Sequence, residues 1–239
     1  MTEALHDSAD EPDGGVRVDN SGPVRLISLY RKRAKRYDRT TLLLYFAGFR
    51  HWAYRRQAVQ SLALNQGDTA VDLGCGTGLN FSLLQEHVGP RGRIIGVDLT
   101  DAMLDEAAAR VTAHGWSNVE LVKSDAAVYV FPRTVDGILS TFALTLVPGF
   151  DEVVRNGAVA LLPGKRFVIL DFKRPSGCLT NKATPVLEML LTRPFGGTLD
   201  MASRKPWHSL EKHLALIQFT NLYFGGAYIA AGEKARFSG

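Results

Sequence analysis

From residue 69 onward, short apolar runs alternate with longer segments in which apolar residues recur every three or four positions. The apolar runs predict strands at Thr69–Leu73, Arg93–Val97, Val119–Lys123, Val135–Thr141 and Arg166–Phe172. The longer segments predict helices at Asn80–Val88, Asp101–His114 and Asp151–Leu162, and a shorter helix between Asp125 and Val135 that Pro132 interrupts. This alternation over short links is typical of a parallel, doubly wound α/β sheet.

The pattern changes after residue 172, where prolines and glycines divide the chain into short pieces. Helices are predicted near residues 183–191 and at Leu210–Ile217. Two further apolar runs, Phe219–Phe224 and Ala227–Ala231, flank a pair of glycines. They predict an antiparallel hairpin that closes the sheet.

A glycine-rich loop follows the first predicted strand and reads Asp72-Leu73-Gly74-Cys75-Gly76-Thr77-Gly78. Glycines between a buried strand and a helix let the backbone approach a ligand where a Cβ atom would collide. A dinucleotide-binding loop would place its third glycine where this chain has Leu79. The acid ahead of the glycines suits a ligand with a positively charged end.

Polar residues also follow the other predicted strands. In a doubly wound sheet, ligands lie outside the carboxyl ends of the strands. Asp98 ends the second strand, 20 residues after Gly78, where a carboxylate can accept hydrogen bonds from both hydroxyls of a ribose. Asp125 follows the third strand, within reach of an adenine amino group, and Thr141 ends the fourth. A nicotinamide cofactor would use an acid such as Asp98 but would not explain the glycine spacing.

Composition is that of an ordinary globular chain: 239 residues, 46% hydrophobic and 22% charged. Two cysteines give no disulfide framework, and no apolar run is long enough to cross a bilayer, which favours a cytoplasmic protein. Histidines, cysteines and acids do not recur at metal-ligand spacing, so no metal is expected.

The distribution of charged residues along the chain predicts how it is divided. Residues 1–22 are predicted to be a disordered acidic tail, 23–60 a basic amphipathic helical lid, and 61–239 the main domain. On a helical wheel, one side of the lid is basic and carries Arg31, Lys32, Lys35, Arg36 and Arg39. The other side is apolar and carries Ile27, Tyr30, Ala34, Tyr37, Thr41 and Leu44. Such a helix suits binding to an anionic membrane surface, which would make the protein peripheral at the inner face of the membrane. Alternatively, the helix packs on the sheet with its charged side in solvent.

The loop and strand ends resemble those of the class I S-adenosylmethionine-dependent methyltransferases. Tyr37-Asp38, Gly48 and Trp52 resemble the N-terminal lid of the ubiquinone/menaquinone C-methyltransferase and bacterial phosphatidylethanolamine N-methyltransferase group. Asn221-Leu222 and Gly225 resemble that group's C-terminal hairpin. The resemblance implies a mostly parallel, seven-stranded Rossmann-like sheet with an antiparallel C-terminal hairpin and an N-terminal helical lid.

The resemblance also implies roles for individual residues. The cofactor S-adenosylmethionine is expected to contact Asp72, Gly74, Cys75, Gly76, Gly78, Asn80, Asp98, Leu99, Met103, Asp125, Ala126 and Thr141. Tyr37 and His51 are the candidate catalytic residues. The acceptor or a membrane is expected to meet Tyr30, Arg31, Lys35, Arg39, Phe142 and Arg174.

The sequence indicates the methyl acceptor less clearly than it indicates the cofactor. Where the quinone enzymes carry Glu-Phe-Ser after strand five, this chain has Asp171-Phe172-Lys173, which favours N-methylation of a phospholipid amine at a membrane surface. The alternatives are a quinone-type C-methyltransferase or a soluble small-molecule methyltransferase. An RNA methyltransferase or a non-catalytic cofactor-binding protein is less favoured. The fourth strand lacks the Asn/Asp-Pro-Pro-Tyr/Phe clamp of exocyclic-amine nucleic acid enzymes, so no nucleic acid partner is expected.

Overall fold

A computed structural model describes residues 27–38, 48–174 and 203–236. The predicted acidic tail, the predicted helix at 183–191 and Arg39 lie outside the described residues.

Seven strands form one sheet in the order β3-β2-β1-β4-β5-β7-β6. Their bounds are β1 Thr69–Leu73, β2 Arg93–Asp98, β3 Val119–Lys123, β4 Val135–Thr141, β5 Leu161–Phe172, β6 Ala215–Leu222 and β7 Ala227–Glu233. Strands β1 to β5 are parallel, whereas β7 runs antiparallel to both β5 and β6. The predicted fold class is confirmed, and the carboxyl ends of the five parallel strands meet along one edge.

The described residues contain six α-helices. They are α1 at residues 27–38, α2 His51–Ser61, α3 Phe81–Val88, α4 Asp101–His114, α5 Phe150–Ala160 and α6 Pro206–His213. Helix α4 ends at Gly115, whose left-handed backbone (φ 65°) closes the last turn without the steric cost that a Cβ atom would bring.

Two hydrophobic clusters lie on opposite faces of the sheet. Successive side chains of a strand point to opposite faces, and β1 accordingly sends Val71 to one cluster and Ala70 to the other. Val153 of α5 and Leu210 of α6 belong to the first cluster, and Ala58 of α2 to the second. Helix α2 therefore packs into the core of the main domain, although the division predicted at residue 60 had placed it with the lid.

Several of the predicted elements differ in the structure; β5, for example, begins at Leu161 and not at Arg166. The helix predicted at Leu210–Ile217 begins earlier, at Pro206, because proline at the first helical position has its φ already set. Strand β6 then starts at Ala215, with the alternating exposure of a half-buried strand. The stretch between Asp125 and Val135 contains turns and no helix. Asp125 Oδ1 accepts a hydrogen bond from the Ala127 N–H there, which forms a local turn.

Candidate cofactor and acceptor site

A cavity of about 450 Å³ lies at the carboxyl ends of the parallel strands, beneath helix α1. Its lining combines backbone of the glycine loop, carboxylates at strand ends, and an apolar and aromatic section. Of the residues predicted to contact cofactor or acceptor, the structure brings to this cavity Tyr30, Tyr37, Gly74, Cys75, Gly76, Asp98, Leu99, Met103, Asp125, Ala126, Thr141 and Phe142. The position predicted from strand ends is therefore a real concavity.

The three loop glycines all adopt positive φ, but each meets different surroundings. A Cβ atom on Gly74 would lie 2.3 Å from the Ala143 Cβ, and one on Gly78 would lie 2.5 Å from the Phe81 ring. A Cβ atom on Gly76 would meet nothing within 4 Å. Gly74 and Gly76 line the cavity, whereas Gly78 packs against Phe81 below it.

Asp98 links the end of β2 to the glycine loop. Its Oδ2 accepts a hydrogen bond from the Gly76 N–H at 2.9 Å, and its Oδ1 accepts one from the Thr100 N–H at 2.8 Å. Burial raises the pKa of this carboxyl, while the backbone hydrogen bonds oppose that shift. Each carboxylate oxygen has a second lone pair for a ligand hydroxyl.

Asp72 and Asn80 lie beneath the loop and do not line the cavity. Asp72 is fully buried, and both of its oxygens lie 3.0 Å from the donating Asn80 Nδ2. Asn80 Nδ2 also lies 3.0 Å from Thr141 Oγ1 at the end of β4. This corrects the expectation of direct cofactor contact by Asp72 and Asn80, since they tie β1, α3 and β4 together under the ligand position.

Burial gives Asp72 a measurable pH signature. Desolvation raises its pKa from 3.8 to about 7, so the folded protein binds a proton there that the unfolded chain releases near pH 4. The stability that this proton contributes is complete below pH 4 and disappears as the pH rises through about 7. Between pH 5 and pH 8, the free energy of unfolding in urea is expected to fall by on the order of 2 kcal/mol more in the native protein than in Asp72→Asn. Asp105→Asn, on the exposed side of α4, should match the native profile, and equal slopes in all three proteins would contradict the assignment.

Arg55 is a site residue that sequence reasoning missed. It lines the cavity from α2 and is buried, and its Nη1 donates to Asn80 Oδ1 at 2.8 Å and to Thr141 Oγ1. Its guanidinium carbon lies 5.2 Å from the centre of the Phe142 ring. Arg55 lies three and four residues before Ala58 and Val59, which are also buried. This helical spacing could have placed Arg55 on the inner side of α2.

Helix α1 covers the cavity through Ile27, Tyr30 and Tyr37. Asp38 at its end accepts a hydrogen bond from Thr77 Oγ1 at 2.7 Å and pairs with Arg110 of α4. These contacts hold the helix against the glycine loop and α4.

Arg31 and Tyr37 differ from their predicted roles. Arg31 donates two hydrogen bonds to Asp101, at 2.8 and 2.6 Å, so it anchors α1 to α4 where a membrane-facing cation was predicted. Burial raises the pKa of the Tyr37 hydroxyl. Tyr37 therefore keeps its proton at neutral pH, which argues against a general base.

Other predicted residues lie away from the cavity. His51 is buried beside Trp52, does not line the cavity, and has its pKa lowered to about 4 by desolvation and by Arg55. It is therefore neutral at pH 7, and the catalytic role expected of it stays a prediction. Lys35 and Arg174 do not line the cavity either. Within the described ranges, no cluster of three histidines, cysteines or acids could hold a metal ion, and no helix could span a membrane.

Comparison with solved structures places this fold in a class. A SAM-dependent methyltransferase from Aquifex aeolicus matches with a TM-score of 0.58 at 20% identity, over 74% of this chain and 88% of that one. The sheet order with its antiparallel β7, and the cavity at the ends of the parallel strands, define the class I methyltransferase fold.

The family follows from the sequence comparison. Residues 19–211 match the model of the ubiE/COQ5 methyltransferase family, and the chain belongs to that family. This confirms the resemblance to this family that was predicted from the sequence.

Individual relatives carry quinone names. A 2-phytyl-1,4-naphtoquinone methyltransferase of Thermosynechococcus vestitus is 37% identical over 149 residues, which are 62% of this chain and 64% of that protein. A ubiquinone/menaquinone biosynthesis C-methyltransferase of Pseudomonas putida is 29% identical over 161 residues, or 66% of this chain and 62% of that protein. The matched stretch thus spans somewhat less than two thirds of these two relatives.

Proposed function

We propose that the protein transfers a methyl group from S-adenosylmethionine to a ring carbon of a quinone-type acceptor in its reduced form. The observation that carries this proposal is the composition of the cavity. Its carboxylates lie at the β2 and β3 ends, whereas the section nearer β4 and α1 is aromatic and apolar. That section is lined by Tyr30, Tyr37, Phe142, Leu146, Val147 and Pro148. The quinone methyltransferase names of the relatives support an aromatic acceptor there.

The cofactor supplies a methyl carbon bonded to a positively charged sulfur. The acceptor carbon forms a bond to that methyl as the carbon–sulfur bond breaks and its electron pair returns to sulfur. The ring carbon then loses its proton to solvent water and aromaticity is restored. Such a displacement depends mainly on alignment and exclusion of water, and positioning alone can supply several kcal/mol. In this proposal Asp98 and the glycine loop fix the nucleoside, while Tyr37 and Phe142 orient the ring.

The expectation of phospholipid amine N-methylation gains no support from the comparisons, which favour the quinone alternative. The charges near the aromatic section agree with that preference. Arg55 places a buried positive charge beside Phe142, which disfavours a protonated amine in the same section. Asp171, at the end of β5, is buried, does not line the cavity, and accepts hydrogen bonds from the Thr145 and Phe172 N–H groups.

Methyl transfer with an isotopically labelled donor tests this proposal. The purified chain is incubated with a demethylated prenyl naphthoquinone kept reduced, with the same quinone oxidised, and with phosphatidylethanolamine vesicles. Label on the ring carbon of the reduced quinone alone is expected, because only the hydroquinone carries an electron-rich ring carbon. Label on the lipid amine, with none on the ring, would contradict the proposal.

We further propose that α1 contacts an anionic membrane surface where such acceptors are dissolved. Lys32 and Lys35 are exposed on α1, while Arg31 is engaged with Asp101. Each basic residue near an anionic surface is worth about 1 kcal/mol, so Lys32→Glu with Lys35→Glu should lower vesicle binding at least about tenfold at low salt. Co-sedimentation with phosphatidylglycerol-containing vesicles measures it. Arg31→Gln is the control and should lower binding little; native-like binding by the double variant would refute the membrane contact.

A further inference from the structure

Arg55 is a buried cation with no carboxylate in direct contact: Asp72 lies beyond Asn80, which bonds to both side chains. It is only 4% exposed, and it forms no ion pair within 4.0 Å with any carboxylate of the described residues. Both of its hydrogen bonds leave from Nη1 and end on neutral oxygens, those of Asn80 and Thr141. Its Nε is buried with no hydrogen-bond partner in the described structure. Leaving a buried charge in this state is costly, and proteins retain such groups where a ligand completes them.

The sheet places Arg55 at a definite distance from the nucleoside end of the cavity. Asp98 ends β2 and Thr141 ends β4, and β1 lies between those strands. Neighbouring strands lie about 4.8 Å apart, so Thr141, to which Arg55 is bonded, ends a strand about 10 Å from the strand that Asp98 ends. The glycine loop, which leaves β1, occupies the space between them. Arg55 therefore faces the section where the non-nucleoside part of the donor and the acceptor ring meet.

The network behind Arg55 fixes its position. Asn80 and Thr141 hold Nη1, and the Phe142 ring lies under the guanidinium. The second terminal nitrogen, Nη2, makes no hydrogen bond within the described part of the chain, and the side chain lines the cavity. A planar guanidinium held on one side presents its remaining donors in a fixed direction, the arrangement that suits a negatively charged oxygen.

We propose that Arg55 binds an oxyanion of the bound ligand at the β4 side of the cavity. Two sources supply that chemistry: the carboxylate of the methyl donor's amino acid portion, and the deprotonated hydroxyl of a hydroquinone acceptor. The second source rests on the proposed function, whereas the first does not. In either case the ligand supplies a negatively charged oxygen in direct contact with the guanidinium, which the described part of the protein does not. An acceptor oxyanion would also make the neighbouring ring carbon a better nucleophile.

The test compares three variants. Arg55→Met keeps the length and packing of the side chain and removes its charge, whereas Arg55→Lys keeps the charge and loses the planar donor fork. Arg56→Met is the matched control, because Arg56 is the next residue of α2, is exposed, and pairs only with Glu86 at 3.5 Å among the described residues. Thermal unfolding reports whether each variant is folded. Calorimetry then measures binding of S-adenosylhomocysteine and of 5′-methylthioadenosine, which lacks the amino acid portion.

The two sources give different results. If the donor carboxylate binds Arg55, Arg55→Met lowers the affinity for S-adenosylhomocysteine by about tenfold or more and leaves the affinity for methylthioadenosine unchanged. If an acceptor oxyanion binds, both nucleosides bind as in the native protein, while the pH of half-maximal methyl transfer rises by about one unit or more.

Native-like S-adenosylhomocysteine affinity together with a native-like pH profile in folded Arg55→Met would overturn the proposal. Should that variant fail to fold, Arg55→Lys is used for the test. A smaller loss of S-adenosylhomocysteine affinity, or a smaller shift of the pH profile in the same direction, supports the proposal. Native values of both contradict it. Failure of every quinone as an acceptor, with the selective loss of S-adenosylhomocysteine binding intact, would refute the proposed function and leave Arg55 as the carboxylate ligand.

Discussion

Asp98→Ala is expected to weaken binding of S-adenosylhomocysteine by about 100-fold or more, because two charge-assisted hydrogen bonds to ribose hydroxyls would be lost. The same change removes the acceptor for the Gly76 and Thr100 N–H groups, so the glycine loop also loses its attachment to β2. Calorimetric titration measures the affinity, and thermal unfolding shows that the variant is folded.

Two further variants make this result specific. Asp98→Asn keeps one oxygen acceptor, so its affinity for S-adenosylhomocysteine should fall between those of the native protein and Asp98→Ala. Asp105→Ala removes an exposed acid from α4 and should bind as the native protein does. Equal affinity in Asp98→Ala and the native protein would refute the ribose contact, and equal losses in the Asp98 and Asp105 variants would show that the effect is not local.

The second large effect is expected at Gly74. Its φ is +66°, and a Cβ atom there would lie 2.3 Å from the Ala143 Cβ, too close for any real pair of carbon atoms. Because Ala143 lies two residues after the end of β4, relief requires the glycine loop and the segment after β4 to move apart. Gly74→Ala is therefore expected to lower the free energy of unfolding by about 3 kcal/mol, the sum of left-handed backbone strain and overpacking. Binding of S-adenosylhomocysteine should be lost with it.

Gly115→Ala separates the two contributions. Gly115 has nearly the same φ, +65°, but a Cβ atom there would meet nothing within 4 Å. Its substitution should cost about 1–2 kcal/mol from backbone strain alone and leave cofactor binding unchanged. Urea unfolding of both variants gives the comparison, and an equal loss of stability in the two would contradict the role assigned to the close approach at Ala143.

Sequence reasoning succeeded where hydrophobic pattern and strand topology determine the outcome. The strands at Thr69–Leu73, Val119–Lys123 and Val135–Thr141 have the predicted bounds, and their carboxyl ends meet at the cavity. Once a sheet is parallel, residues at successive strand ends must converge, so Asp98 and Asp125 could be placed without knowing any contact.

It was less successful where side-chain depth decides the role. Asp72 was expected to face the ligand because it adjoins the glycines, but the alternation of a strand points it under the loop toward Asn80. Arg55 was not singled out from the sequence because an arginine is usually exposed, whereas the helix turns this one inward. The helix predicted after residue 210 extended through Ala215 because the apolar residues of β6 also fit a helical spacing over one turn.

The cavity above the glycine loop is expected to hold S-adenosylmethionine with its ribose on Asp98. A crystal structure with S-adenosylhomocysteine tests it most directly. The predicted result places adenine beside Asp125 and Ala126, both ribose hydroxyls on the Asp98 carboxylate, and the amino acid portion along Gly74 and Gly76. Density for the molecule anywhere else, or a crystal in which that cavity stays without it at saturating concentration, would contradict the account.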